Sequence, residues 1–211
     1  MLLPEEQALA ANERIYATLL SQLGASDLGE LAARKELSLK SGGVVEVLSF
    51  GRLYHASQGG VVKADGGEAG FKERFAIVNY LLSEGSGEPS GEFIPFGSLG
   101  GFNIGRQRHE DRSLKGPILA RFADDYPALA AAAESIGGVE ERGDSSSEHR
   151  WRFSVFPQLP ISLTFYERDM DFPPDATILF DSRALDFLGL SCLGFLPDYF
   201  TSTLLEAAAE N

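Results

Sequence analysis

The stretch RWRFSVFPQLPISLTFYE, residues 150–167, constrains the fold of this chain more than any other. Trp151, Phe153 and Val155 alternate with Arg150, Arg152 and Ser154. After Pro-Gln-Leu-Pro, Ile161, Leu163 and Phe165 alternate with Ser162, Thr164 and Tyr166. Successive side chains of a strand point to opposite faces, so a period of two over both runs sets an apolar face against a core. The short link lets the second run return antiparallel to the first, which predicts a hairpin.

The rest of the chain divides by period in the same way. VVEVLSF (44–50), LYHA (53–56) and VVKA (61–64) are short β-rich runs, and TILF (177–180) reads as one more strand. Gly51-Arg52 and Ser57-Gln58-Gly59-Gly60 punctuate the first three as the turns of a meander. Helical spacing governs residues 5–23, where Ala8, Ala11, Ile15 and Leu19 share a face that Tyr16, Leu20 and Leu23 widen, before Gly24. A short helix follows, with Ser26 or Asp27 as its N-cap and its end near Lys35. Residues 69–82 place Phe71, Phe75, Val78 and Leu82 on one stripe. Two helices are expected at 111–124 and 127–136, and a helical tail begins near Asp181. From Gly85 to about residue 110 the sequence reads as one long loop, a length that marks either mobility or function. Helices and strands are segregated rather than alternating. The expectation is an α+β fold with a mainly antiparallel sheet flanked by helices, in a single compact domain. Residues 1–36 form an N-terminal helical segment of it and 37–211 the α+β body.

Charge narrows the choice of partners. The 211 residues carry 31 Asp and Glu against 18 Lys and Arg, a formal net charge of −13. Such a chain repels phosphate backbones and anionic lipid, so no nucleic acid and no membrane partner is expected. The single cysteine, Cys192, cannot form an internal disulfide or supply an iron–sulfur cluster, and its neighbours Leu190, Leu193 and Phe195 make it a core thiol. No apolar run approaches the ~20 residues that span a bilayer. MLLPEEQALAANER lacks the basic start of a secretory signal, and a cytoplasmic location is expected.

Two stretches invite chemistry. GSLGGFNIGR (97–106) frees backbone amides ahead of a helix, although it lacks the lysine and hydroxyl of a P-loop. Arg106, Arg108, Arg112, Lys115 and Arg121 follow closely, against Glu110 and Asp111, a local balance of +5 − 2 = +3. Gly100, Gly101, Arg106, His109 and Arg112 are therefore the candidates for an acidic small molecule; a solvated helix face explains the same residues. The second stretch is ERDMDFPPDATILFD (167–181), whose carboxylates offer hard oxygens. Asp169, Asp171 and Asp181 are the candidate metal ligands, or the acid and base of an enzyme. The alternative assigns each a structural task, with Asp181 or Ser182 capping the helix that begins RALDFL. His55, His109 and His149 lie in separate segments, none with a metal ligand at local spacing.

FPPDATILFDSRALDFL, preceded by PISLTFYERDMD and followed by GLSCLGFLPDYFTSTLL, resembles the C-terminal half of a domain-of-unknown-function family of bacteria and archaea. FKERFAIVNYLLSEGSGEPSGEFIPFGSLGGFNIG resembles its central part. The resemblance implies an accessory domain of anaerobic cofactor or one-carbon metabolism. Relatives sometimes carry an attached iron–sulfur module or occur near corrinoid proteins; this chain lacks the cysteines of such a module. Three functions follow as expectations: an accessory domain that binds a small anion or cofactor, an enzyme using the Asp cluster with a divalent cation, or a protein-interaction or homo-oligomeric module.

Overall fold

The computed structural model describes residues 4–101, 107–143 and 145–210, with backbone alone for 4–10, 100–101, 107–114, 190 and 191. Helix α1 (Pro4–Ala25) packs on α3 (Phe71–Leu82). It buries Tyr16 and Leu23, while Ile15 remains 51% exposed, so its apolar face is rotated from the expected one. The cause is polar: Arg74 of α3 pairs with Glu13 at 2.7 Å and lies 4.6 Å above the Tyr16 ring, which turns that side inward. Helix α2 (Leu28–Arg34) starts where expected, with Asp27 Oδ1 accepting from the Gly29 and Glu30 amides.

Strands β1 (Leu39–Lys40), β2 (Val44–Ser49), β3 (Arg52–Ser57) and β4 (Gly60–Lys63) form one antiparallel sheet in that order. The β2–β3 turn is Phe50-Gly51, one residue earlier than the sequence suggests, because Ser49 pairs with Arg52. Both turn residues have positive φ, 46° and 72°, a conformation matched to the twist of a two-residue hairpin. A phenylalanine is held there by burial: its ring packs on Tyr199 at 5.1 Å and on Phe200 at 5.8 Å.

The second sheet takes β5 (Phe93–Pro95), β6 (Val139–Glu141), β7 (Glu148–Phe156), β8 (Leu159–Tyr166) and β9 (Asp175–Asp181) in the order β5-β9-β8-β7-β6. The predicted hairpin is β7–β8, with Trp151 opposite Leu163 and Phe153 opposite Ile161. Its polar face is drier than alternation implies. Ser162 and Thr164 are buried, flanked across the sheet by the longer Arg150, Arg152 and Leu179. The long loop expected after Gly85 contains β5 and a 3-10 turn (Phe96–Gly101). Pro95 is tolerated because β5 is an edge strand, paired with β9 alone.

Helices α4 (Gln107–Phe122), α5 (Tyr126–Ser135) and α8 (Leu196–Glu210) pack together, with α4 also on β9, and α6 (Ala184–Phe187) and α7 (Leu190–Leu193) lead into α8. Phe153 meets Phe200 at 4.9 Å, and the Phe50 amide donates to Ser154 O, so both sheets share one core with α8. The outcome is an α+β domain with antiparallel sheets flanked by helices, two sheets where one was expected. Among the described residues no helix is long and apolar enough to cross a membrane.

Candidate functional site

The β8–β9 connection carries ERDMDFPP between Tyr166 and Asp175, which pair across the two strands. Its path is locked by its own backbone. Asp169 Oδ1 accepts from the amides of Asp171 at 2.8 Å and Phe172 at 2.7 Å, and the Asp169 amide donates to Phe172 O. Short acidic side chains favour such turns because they can hold the backbone two residues ahead. The turn directs Met170 and Phe172 to solvent, fully and 70% exposed. Beneath it lies a crevice of about 520 Å³, walled by Glu167, Asp169 and Asp175 with Tyr166, Phe172, Pro173, Pro174 and Ser147.

Neighbouring elements hold those walls. Lys115 of α4 pairs with Asp175, and Arg168 pairs with Asp124 between α4 and α5 at 3.5 Å. The Glu167 amide donates to Ser147 O. Glu167 Oε1 lies 2.8 Å from His149 Nε2, and the imidazole stacks on Tyr126 with ring centroids 3.7 Å apart. Trp151 continues the stack 6.2 Å from His149. Burial pushes the Tyr126 phenol up, and the Glu140 and Glu167 carboxylates add to this, so Tyr126 keeps its proton. One carboxylate of the crevice is thus fixed from behind by an imidazole that two aromatic rings orient.

The candidate metal ligands do not converge. Asp169 and Asp171 lie in the turn beyond one end of β9, whereas Asp181 closes the other end, six residues from Asp175. At ~3.3 Å per residue that is about 20 Å of strand. Among the described residues no three His, Cys, Asp or Glu side chains are grouped to hold a metal ion. Asp181 is fully buried and accepts four hydrogen bonds, from Ser90 N (3.1 Å), Ser90 Oγ (2.9 Å), Gly91 N (2.8 Å) and Arg183 N (3.0 Å). It clasps the loop before β5 to the end of β9. Nor does it cap α6, whose N-cap is Arg183 with no side-chain hydrogen bond. Arg183 adds to the clasp by donating to Glu88 O and Ser86 O.

Of the residues expected to bind an anion, Gly100 and Gly101 close the 3-10 turn and Arg106 lies outside the described residues. His109 and Arg112 fall on α4 with side chains outside the described ones. Two members of the basic cluster are already paired: Lys115 with Asp175, and Arg121 with Asp125 at 3.2 Å.

Three features escape a reading by local spacing. The first is the His149–Glu167 pair. His149 pairs with Phe165, which leaves Glu167 its diagonal neighbour, so extending the β7–β8 register would have found it. The second is Lys35, wholly buried, whose Nζ donates to Ser83 Oγ at 2.7 Å and Gly85 O at 2.6 Å between the Tyr80 and Phe187 rings. Burial lowers it to about 8, assisted by the nearby Arg34 charge. The third is a second crevice, of about 540 Å³, between the start of α3 and α8. Two of its charged groups are engaged: Glu73 accepts from Tyr54 Oη and the Gly70 amide, and Lys72 pairs with Asp198. Burial raises the Tyr54 and Tyr199 phenols, so they act there as hydroxyl donors and acceptors. Cys192 is a core thiol, pushed up to about 12 by burial.

A family model described as a domain of unknown function (DUF3786) matches residues 27–203 of the chain. No curated protein and no solved structure matches it.

Proposed function

We propose that this chain, which belongs to the DUF3786 family of domains of unknown function, is a ligand-binding domain whose site is the crevice under the β8–β9 turn. One observation carries the reading: a preformed crevice of about 520 Å³ whose wall carboxylate, Glu167, is held by a stacked imidazole. That volume lies within the ~300–1,000 Å³ of small-molecule sites, where a few oriented polar groups among apolar walls are the usual pattern. The Asp169 turn and the Lys115–Asp175 pair support it further, because a site already in shape loses less entropy on binding. The accessory role in anaerobic cofactor or one-carbon metabolism belongs to the same proposal.

A small-fragment screen by backbone amide NMR tests it. Resonances of Ser147, Glu167, Asp169 and Phe172 are expected to move together and saturably. Shifts confined to another surface, or none from any fragment, would overturn the reading. A proton-transfer enzyme is the second reading, favoured by the His149–Glu167 hydrogen bond at the crevice wall. Time-dependent conversion of a bound fragment, abolished in Glu167→Gln, would select it.

A further inference from the structure

We infer that the ligand of this crevice is a small organic cation, an alkylammonium or methylated amine; the inference rests on the binding-domain reading above. The first ground is the sign of the walls. Glu167, Asp169 and Asp175 face the crevice, and among the described residues its lining includes no lysine or arginine. Lys115 answers Asp175 from the α4 side, and His149 meets Glu167 from the β7 side. Among the described residues Asp169 has no ion-pair partner: its Oδ1 receives the two turn amides, which shape the loop without cancelling the charge. Within the described lining an anion would meet the Asp169 charge with no paired cation to offset it. A chain of net charge −13 also draws cations toward its acidic concavities.

The second ground is the apolar part of the same walls. Tyr166 and Phe172 stand at the mouth, 38% and 70% exposed, beside Pro173 and Pro174. Aromatic faces attract organic cations through their quadrupole while burying the alkyl groups around the nitrogen. A bare metal ion matches this lining poorly. Calcium takes six or more oxygen ligands, and these walls are half ring and pyrrolidine. The mixture of carboxylate and aromatic wall suits a cation that carries its own apolar surface.

The experiment is an amide NMR titration of the full chain at constant ionic strength with choline and with its neutral isostere 3,3-dimethylbutanol. Choline is expected to move the Ser147, Glu167 and Phe172 resonances saturably, with the isostere binding about tenfold more weakly or less. Asp169→Asn removes the charge but leaves an Oδ1 to hold the turn, and should weaken choline about tenfold with the isostere unchanged. Phe172→Ala should weaken both. Equal binding of choline and the isostere, or binding of only neutral or acidic fragments at the same amides, would overturn the cation assignment and leave the binding-domain reading standing. Silence of the crevice amides toward every compound would overturn both.

Discussion

Replacing Asp181 by asparagine should separate a structural clasp from a site of chemistry. The carboxylate is fully buried and receives three backbone amides and one hydroxyl. Asparagine keeps the shape but turns one oxygen into a donor. If the amide nitrogen takes the Oδ2 position, the Ser90 hydroxyl can rotate to accept from it, whereas the Gly91 N–H is left facing another donor. A stranded buried N–H costs about 1–3 kcal/mol, and each surviving bond drops from charge-assisted to neutral, about 1 kcal/mol apiece. Removing a buried charge returns part of this, for a net loss of about 3 kcal/mol. In a chain of this size that lowers Tm by roughly 6–12 °C. Urea unfolding followed by the fluorescence of Trp151, the single tryptophan and 2% exposed, reads the loss directly. An m-value like that of the parent would show that only stability changed. Ser90→Ala should lose part of the same energy, and the double variant less than the sum, because both substitutions break one network. An Asp181→Asn protein within about 1 kcal/mol of the parent would refute the clasp. A large Tm rise with millimolar calcium or magnesium in the parent, abolished by the substitution, would restore Asp181 as a metal ligand.

Lys35 should give the protein an alkaline gain in stability. Its folded value is about 8 against 10.5 for the free side chain, so the folded state sheds the proton first and stability rises as pH climbs from 8 toward 10.5. Between pH 8 and 9.5 the gain approaches about 2 kcal/mol, measured by urea unfolding as the parent's change minus that of Lys35→Met. An identical pH slope in the two proteins would contradict it. Gly85→Ala should unfold the α6 end of the clasp, since a Cβ there would sit 2.2 Å from Asp186 O, whose partner is the Gly85 amide. A loss of about 2–3 kcal/mol or more in the same assay is expected, and a neutral effect would show that α6 yields easily. Cys192, buried and with its thiol raised to about 12, should resist a disulfide reagent at pH 8 in the folded protein and react fully in urea.

Local pattern carried the reading of the elements a long way. The period-two runs at 150–156 and 161–166 became β7 and β8 of one antiparallel hairpin, with Leu159 and Pro160 of the expected link drawn into β8, and the Asp27 cap and the α3 stripe stand where spacing puts them. These are short-range matters, decided by which faces of a strand or helix are apolar and which side chain can reach the next amide. The misses have long-range causes. The face of α1 turned because Arg74, 61 residues away, reaches Glu13. Phe50 entered a left-handed turn because Tyr199 and Phe200 bury its ring. Pro95 became part of a strand because β9 offered an edge.

The carboxylates of ERDMDFPPDATILFD show the same division. Their chemistry as hard, acidic oxygens is plain from residue type alone, and so is the turn made by Asp169, whose partners are two and three residues away. Their separation into different tasks is not. Asp181 is spent on Ser90 and Gly91, about ninety residues earlier, because β5 returns to pair with β9. Glu167 faces a crevice because the β7–β8 register brings His149 beside it and α5 lays Tyr126 on the ring. Hydrophobic period is a property of neighbours along the chain. The convergence of polar groups depends on which distant segments the core brings together, and only the packed chain decides that.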